Sequence, residues 1–156
     1  MNAIDARTMP VCQAVAEDIR ALGIDYVFGL MSDDTAVLAA AFDALGVRFY
    51  GARHENTAIA MAEGNAYATG KLSIAIVGRG PAMANGLHAA TYAARTGSPV
   101  LVIYGDAAVG GGPNAIGRDY KAFNATGVLS AAGVSYNPLL QRVGHKPTRE
   151  IVRRQR

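Results

Sequence analysis

Apolar positions along the chain recur with two periods. Over residues 9–22, Val11, Val15, Ile19 and Leu22 return every three or four positions with charges between them, which predicts an amphipathic helix stopped by Gly23. A short apolar run at 25–28 then predicts a strand closed by Gly29. The alternation continues with a helix over 34–45, capped by Asp33 or Asp34 and ended by Gly46, and a strand over 47–50 closed by Gly51. A helix from Glu55 to near Gly70 follows, then a strand over 72–77 closed by Gly78. A helix over 81–94 and a strand over 99–104 closed by Gly105 complete the regular part. The strand runs are continuously apolar, so both sheet faces should be covered. Helices between them suit crossover connections. The expected fold is therefore a doubly wound α/β sandwich of three layers with a mainly parallel sheet. In such sheets ligands bind beyond the carboxyl ends of the strands. The loops 29–34, 51–55, 78–85 and 105–119 should supply any site.

The regular pattern fades after Gly105. Residues 106–117 hold four glycines and a proline and read as a loop. A short helix is expected over 120–126 with Gly127 as its stop, then a small helix or strand over 128–134. Beyond Pro138 only a weak helix, 148–154, is expected. This divides the chain into one domain, 1–138, and a basic tail, 139–156.

With 156 residues, 51% of them hydrophobic and 17% charged, the chain can bury a core of its own. The net charge of +3 belongs to the tail: residues 142–156 hold six Lys/Arg against one acid, and the rest holds nine against eleven. No aromatic residue interleaves those charges, so a nucleic-acid stacking platform has no support and a solvated end is the simpler reading. No apolar run reaches the roughly 18 residues of a membrane span. The N-terminal stretch lacks a secretory pattern and Cys12 is the single cysteine, which fits a cytoplasmic protein without disulfides.

Common site motifs fail on inspection. Gly78-Arg79-Gly80 follows a strand and opens a helix, but Met83 stands where the dinucleotide fingerprint needs its third glycine. Pro81 suits a first helical turn, and free N–H groups there could meet an anion or a ring edge. Gly70-Lys71 is no phosphate loop, because Asn65 and Leu72 occupy its required glycine and hydroxyl positions. His54, His88 and His145 have no ligand spacing, so no metal site is expected. His54 is a candidate cap for the following helix.

Glu55 stands out. It begins a helix on whose stripe Ile59 and Ala62 and Ala66 also lie. The stripe would bury the carboxylate, where a lone charge is costly. An exposed first-turn acid favoured by the helix dipole is the competing possibility.

Three stretches resemble one family. They are Gly23-Ile24-Asp25-Tyr26-Val27-Phe28-Gly29; Arg53-His54-Glu55 with the continuation from Ala60 to Ala68-Thr69-Gly70-Lys71; and Gly80-Pro81 with Asn85-Gly86, followed by Ser98-Pro99-Val100-Leu101-Val102-Ile103. In order and spacing they resemble the N-terminal pyrimidine-binding domain of thiamine diphosphate-dependent enzymes of the acetolactate synthase, pyruvate oxidase and 2-oxoacid decarboxylase group. Residues 119–127 look like the segment just beyond. The resemblance makes Glu55 the catalytic glutamate, which hydrogen-bonds the pyrimidine ring nitrogen and favours the imino tautomer that activates the thiazolium carbon. It places Met31, Ser32, Arg79, Pro81 and Asn85 around the same ring. Departures accompany it: Met31-Ser32 replace a Pro-Gly pair, Ala82 replaces a glycine, and Arg79 replaces a small residue. In the family the diphosphate and Mg²⁺ are held by a second domain with a Gly-Asp-Gly motif, which Gly105-Asp106-Ala107 does not reproduce. The resemblance thus implies thiamine diphosphate, a small 2-oxoacid substrate, and either a homodimer or a diphosphate-binding subunit as partner. A separately encoded subunit and a truncated synthase both satisfy it. The competing reading is a degenerate, non-catalytic dimerisation or binding module.

Overall fold

The computed structural model describes residues 9–105, 121 and 123–137. The expected loop 106–117, the tail from 139 and its helix 148–154 lie outside them. Among the described residues nine elements follow in order: α1 (Val11–Ala21), β1 (Tyr26–Gly29), α2 (Ala36–Ala44), β2 (Arg48–Gly51), α3 (Glu55–Thr69), β3 (Ser73–Arg79), α4 (Pro81–Thr96), β4 (Val100–Gly105) and α5 (Ala125–Ala131). The described strands form one parallel sheet in the order β2-β1-β3-β4.

Two apolar layers flank this sheet, as the continuous strand runs require. Ile74 and Ile76 of β3 pack with Val27 and Val47 against Val15, Ile19 and Phe42 of α1 and α2. Ala75 and Val77 of the same strand face the other way, toward Ile59, Ala62, Met83 and Ala90 of α3 and α4, with Leu129 of α5 beside them. Each fully buried Ile or Phe contributes roughly 1.5–3 kcal/mol. The arrangement is the expected three-layer sandwich. Met83 is part of this core, which explains an apolar side chain where a dinucleotide turn would need glycine.

Four details differ from the sequence reading. α2 is not capped by Asp33 or Asp34. Its N-cap is buried Thr35, whose hydroxyl donates to the Leu30 carbonyl at 2.9 Å and accepts from the Ser32 amide at 2.8 Å. That leaves both aspartates to reach across the sheet end. β3 runs on through Gly78 to Arg79, because a bulge between Val77 and Arg79 absorbs one residue in its pairing with β4. Such bulges re-aim the next side chain. α4 continues to Thr96, two residues past the expected end. One helix, Ala125–Ala131, spans the expected break at Gly127 and takes in part of both expected segments, 120–126 and 128–134. Gly127 does not stop it: Asn124 caps the helix by accepting from the Gly127 amide at 2.9 Å, so the glycine lies in the first turn.

The order of strands positions the site. From β1 the chain moves outward to β2 and then crosses back to β3 on the other side of β1. β1 and β3 are therefore the neighbours at which the winding reverses, and the crevice beyond their carboxyl ends is where such sheets bind ligands.

Candidate functional site

A cleft of about 240 Å³ opens at that reversal. Leu30, Ser32 and Asp34 come from the loop after β1, Gly78 and Arg79 from the end of β3, and Glu55 from the start of α3. Pro81, Ala82 and Asn85 come from the start of α4, and Lys121 closes the list of walls. Five of the six residues expected around the ring thus share one cleft: Ser32, Glu55, Arg79, Pro81 and Asn85. Met31 is not among the lining residues. Its side chain turns outward and is 55% exposed.

Glu55 is buried, with 9% of its surface exposed. The stripe decides this: Ala58, Ile59, Ala62 and Ala66 are buried too and draw α3 against the sheet and α4. The exposed-acid alternative is thereby removed. The helix begins cleanly because the His54 side chain accepts from the Asn56 amide through Nδ1 at 3.2 Å. Among the described residues the Glu55 carboxyl has one hydrogen-bond donor, the Asn85 amide, 3.2 Å from Oε2. No buried side-chain oxygen or nitrogen among the described residues lacks a partner. Oε1, which receives no bond, therefore keeps some accessible surface, on a residue that lines the cleft.

α3 and α4 hold this geometry together. Asn56 Oδ1 accepts from the Ala89 amide at 2.9 Å. Gly86 leaves room for Ile59, whose Cδ1 would stand 2.6 Å from a β-carbon there. Asn56 was not singled out from the sequence. Its position directly after the glutamate was the available signal, but its partner lies 33 residues away.

Arg79 neither fills the cleft nor points away from it. The bulge lays it along the wall, where its Nε donates to Asp34 Oδ1 at 2.6 Å. Lys121 Nζ reaches Asp34 Oδ2 at 2.8 Å and Asp33 at 3.1 Å. Asp33 is mostly exposed, so its pair with Lys121 adds little. Asp34 is the shared anion of a half-buried network. Burial pushes its carboxyl up, but the bonds from Lys121 and Arg79 outweigh that and hold it below the usual carboxylate range. The same bonds, Asp34's first and Asp33's second, raise the Lys121 ammonium well above the ordinary lysine value.

A pH prediction follows. A lowered folded value means that Asp34's contribution is complete above the unfolded carboxyl's value of about 3.9 and disappears as pH falls through the folded one. Thermal melts of the wild type and of Asp34→Asn should differ by a constant gap near neutrality. The gap should close in acid, below about pH 4. A gap that persists unchanged in strong acid would show that Asp34 does not carry the network. On the alkaline side Lys121 should stay bound past about pH 10.4, the unfolded lysine value.

A parallel doubly wound sheet with a buried carboxylate lining a cleft at its reversal point defines an α/β domain with a candidate ligand site at the switch point. The chain belongs to the thiamine pyrophosphate enzyme family: residues 9–120 match the profile described as "Thiamine pyrophosphate enzyme, N-terminal TPP binding domain". Among curated proteins it is 35% identical over 96 residues to 2-hydroxyacyl-CoA lyase 2 of Danio rerio, covering 62% of this chain and 16% of that protein. It is 33% identical over 102 residues to an acetolactate synthase large subunit of Mycobacterium tuberculosis, covering 65% and 19%. It is also 29% identical over 139 residues to that of Lactococcus lactis, covering 86% and 23%. The chain thus spans less than a quarter of the length of these relatives. Its fold is shared with an X-ray structure titled as a thiamin diphosphate-dependent enzyme from Mycobacterium smegmatis. That match has a TM-score of 0.57 and 24% identity, over 63% of this chain and 19% of the other. Among the described residues no helix is long and apolar enough to cross a membrane.

Proposed function

We propose that this chain supplies the pyrimidine-binding half of a thiamine diphosphate-dependent decarboxylase or carboligase acting on small 2-oxoacids, of the acetolactate synthase type. One observation carries the reading: Glu55 is buried at the reversal point and lines the cleft, with Oε2 held by Asn85 and Oε1 left unbonded. The walls suit a flat heterocycle. Leu30, Pro81 and Ala82 offer apolar surface, and Glu55 and Asn85 offer polar groups. At about 240 Å³ the cleft lies below the range of roughly 300–1,000 Å³ that takes a drug-sized ligand whole, which suits one ring of a longer cofactor.

Bound thiamine diphosphate supplies the electron sink for breaking or making the bond beside the oxo carbon. The protein's share is proton handling. Glu55 holds a proton at the ring nitrogen, and its burial keeps water from competing for it. Pro81 and Ser32 line the cleft beside the ring, and Asn85 serves it through Glu55. Arg79 acts on the wall through Asp34 rather than on the ring. Asp33 and Asp34 are already engaged by Lys121 and Arg79, so diphosphate and Mg²⁺ fall to another domain or subunit. That subunit, or a second copy of this chain, docks on α3 and α4, whose exposed Tyr67 and Tyr92 lie toward the carboxyl ends of the two helices. The lyase and synthase names among the relatives support chemistry at a carbon–carbon bond.

The test is reconstitution. Thiamine diphosphate with Mg²⁺ should bind this chain alone only weakly. It should bind tightly once a diphosphate-binding domain from an acetolactate synthase is added, and 2-oxoacid should then be consumed. Tight binding without consumption of any of a panel of 2-oxoacids would remove the enzymatic reading and leave the non-catalytic module.

A further inference from the structure

Asn85 is an unexpected residue at its position. It lies on the second turn of α4, is exposed, and is a poor helix former among the alanines Ala82, Ala84, Ala89 and Ala90. Nothing local requires an amide there. Its side chain instead crosses to the next helix and donates through Nδ2 to Glu55 Oε2 at 3.2 Å. The crossing is short because the following residue is Gly86, where a β-carbon would stand 2.6 Å from Ile59 Cδ1 and 3.8 Å from Glu55 Cβ. One turn further along, Asn56 fixes the same two helices by accepting from the Ala89 amide. The two helices are thus joined by two side-chain hydrogen bonds.

We infer that Asn85 is a positioning residue: it clamps one oxygen of Glu55 so that the other is presented to the cleft in a single orientation. A carboxyl with both oxygens unbonded would rotate about its terminal torsion, which is broad and roughly two-fold. With Oε2 claimed, that rotation costs a charge-assisted hydrogen bond. Oε1, left unbonded, is then the atom that meets a ring nitrogen, and the orientation is set before the ring arrives. The inference rests on the proposal that Glu55 faces a pyrimidine. It adds the claim that Asn85 acts only through Glu55. An aspartate at 85 would have the same shape and would set a second carboxylate against the first, so a donor is required and not merely a polar side chain.

The experiment uses the full chain and thiamine labelled with ¹⁵N at the pyrimidine ring nitrogen, observed by NMR at millimolar concentration. In the free chain, the Asn85 side-chain amide signals should move on Glu55→Gln and stay in place on Glu63→Gln. In the titration, the wild type should displace the ring-nitrogen signal. Asn85→Ala should weaken the response roughly tenfold, and Asn85→Asp more. Thermal melts of Asn85→Ala should fall by no more than a few degrees, because alanine's better helix propensity offsets part of the lost hydrogen bond. A packing role alone would leave the titration of that variant unchanged. Added to Glu55→Ala, which leaves Asn85 nothing to clamp, Asn85→Ala should weaken binding no further, which is the signature of one residue acting through another. Asn85 amide signals indifferent to Glu55→Gln overturn the clamp. So does a wild-type response from Asn85→Ala, or full additivity in the double variant, and all three leave the pyrimidine reading of Glu55 standing. A wild-type chain that leaves the ring nitrogen unmoved, or a Glu55→Gln variant that moves it equally, overturns that reading and the clamp with it.

Discussion

Glu55→Gln should reduce 2-oxoacid turnover by the reconstituted complex about 10²–10⁴-fold, the range of a lost general acid–base group. The substitution keeps the shape of the side chain. The glutamine carbonyl can still accept from Asn85, and the packing of Ala58, Ile59 and Ala62 is untouched. Folding stability should therefore change by less than about 1 kcal/mol, as for a near-isosteric change that leaves no buried group unpaired. What disappears is the ability to hold and release a proton at the cleft. An amide there can hydrogen-bond a ring nitrogen but cannot exchange a proton with it. The measurement is a single-turnover rate for each protein at matched cofactor occupancy, with a urea melt beside it. Equal rates would end the case for Glu55 as the proton relay. A large loss of stability would show instead that the charge serves the fold.

Gly80→Ala should cost roughly 2–4 kcal/mol of stability, from backbone strain and overpacking together. Gly80 links β3 to α4 at φ 68° and ψ −124°, a conformation only glycine adopts comfortably. Its missing side chain also makes a contact possible. A β-carbon there would lie 2.1 Å from the Lys121 carbonyl oxygen, 2.8 Å from its carbonyl carbon and 2.9 Å from its Cα. These are backbone atoms and cannot rotate aside. Either the turn must refold or the Lys121 backbone must leave. The first would disturb the hydrogen bond from the Gly80 amide to the Tyr104 hydroxyl at 2.9 Å. The second would pull Lys121 away from Asp34 and Asp33 and open one wall of the cleft. Urea denaturation gives the stability, and hydrogen exchange at the Lys121 amide reports which route is taken. A loss under about 0.5 kcal/mol, the scatter of ordinary surface changes, would mean that the turn is looser than its geometry implies.

Much of the fold is legible in local pattern. The period of Val11, Val15, Ile19 and Leu22 and the unbroken run at 72–77 each name their element, because the burial of a helix stripe or a two-faced strand is written into residue spacing. The stripe through Ile59, Ala62 and Ala66 even anticipates that Glu55 could be buried. The failures share a cause. Asp33 and Asp34 have the right chemistry for a cap, and locally they compete on equal terms with Thr35. They lose because cations from β3 and from residue 121 reach Asp34 in the folded chain. Gly127 has the chemistry of a helix stop, but the Asn124 side chain starts a helix across it. Met31 and Ser32 together occupy the place of the family's Pro-Gly pair, yet Ser32 lines the cleft and Met31 is exposed.

The sequence by itself therefore determined the alternation of helices and strands, the two-faced burial of the sheet, and a carboxylate at the start of a helix with a buried stripe. These depend on residues within a turn or two of each other, and spacing records them. Only the tertiary structure decided that Glu55 is inside, that Asn85 takes one of its oxygens from 30 residues away, and that Lys121 reaches Asp34 across 87. Such contacts are set by which strand follows which across the sheet and by how closely two helices pack, and no local period carries that information.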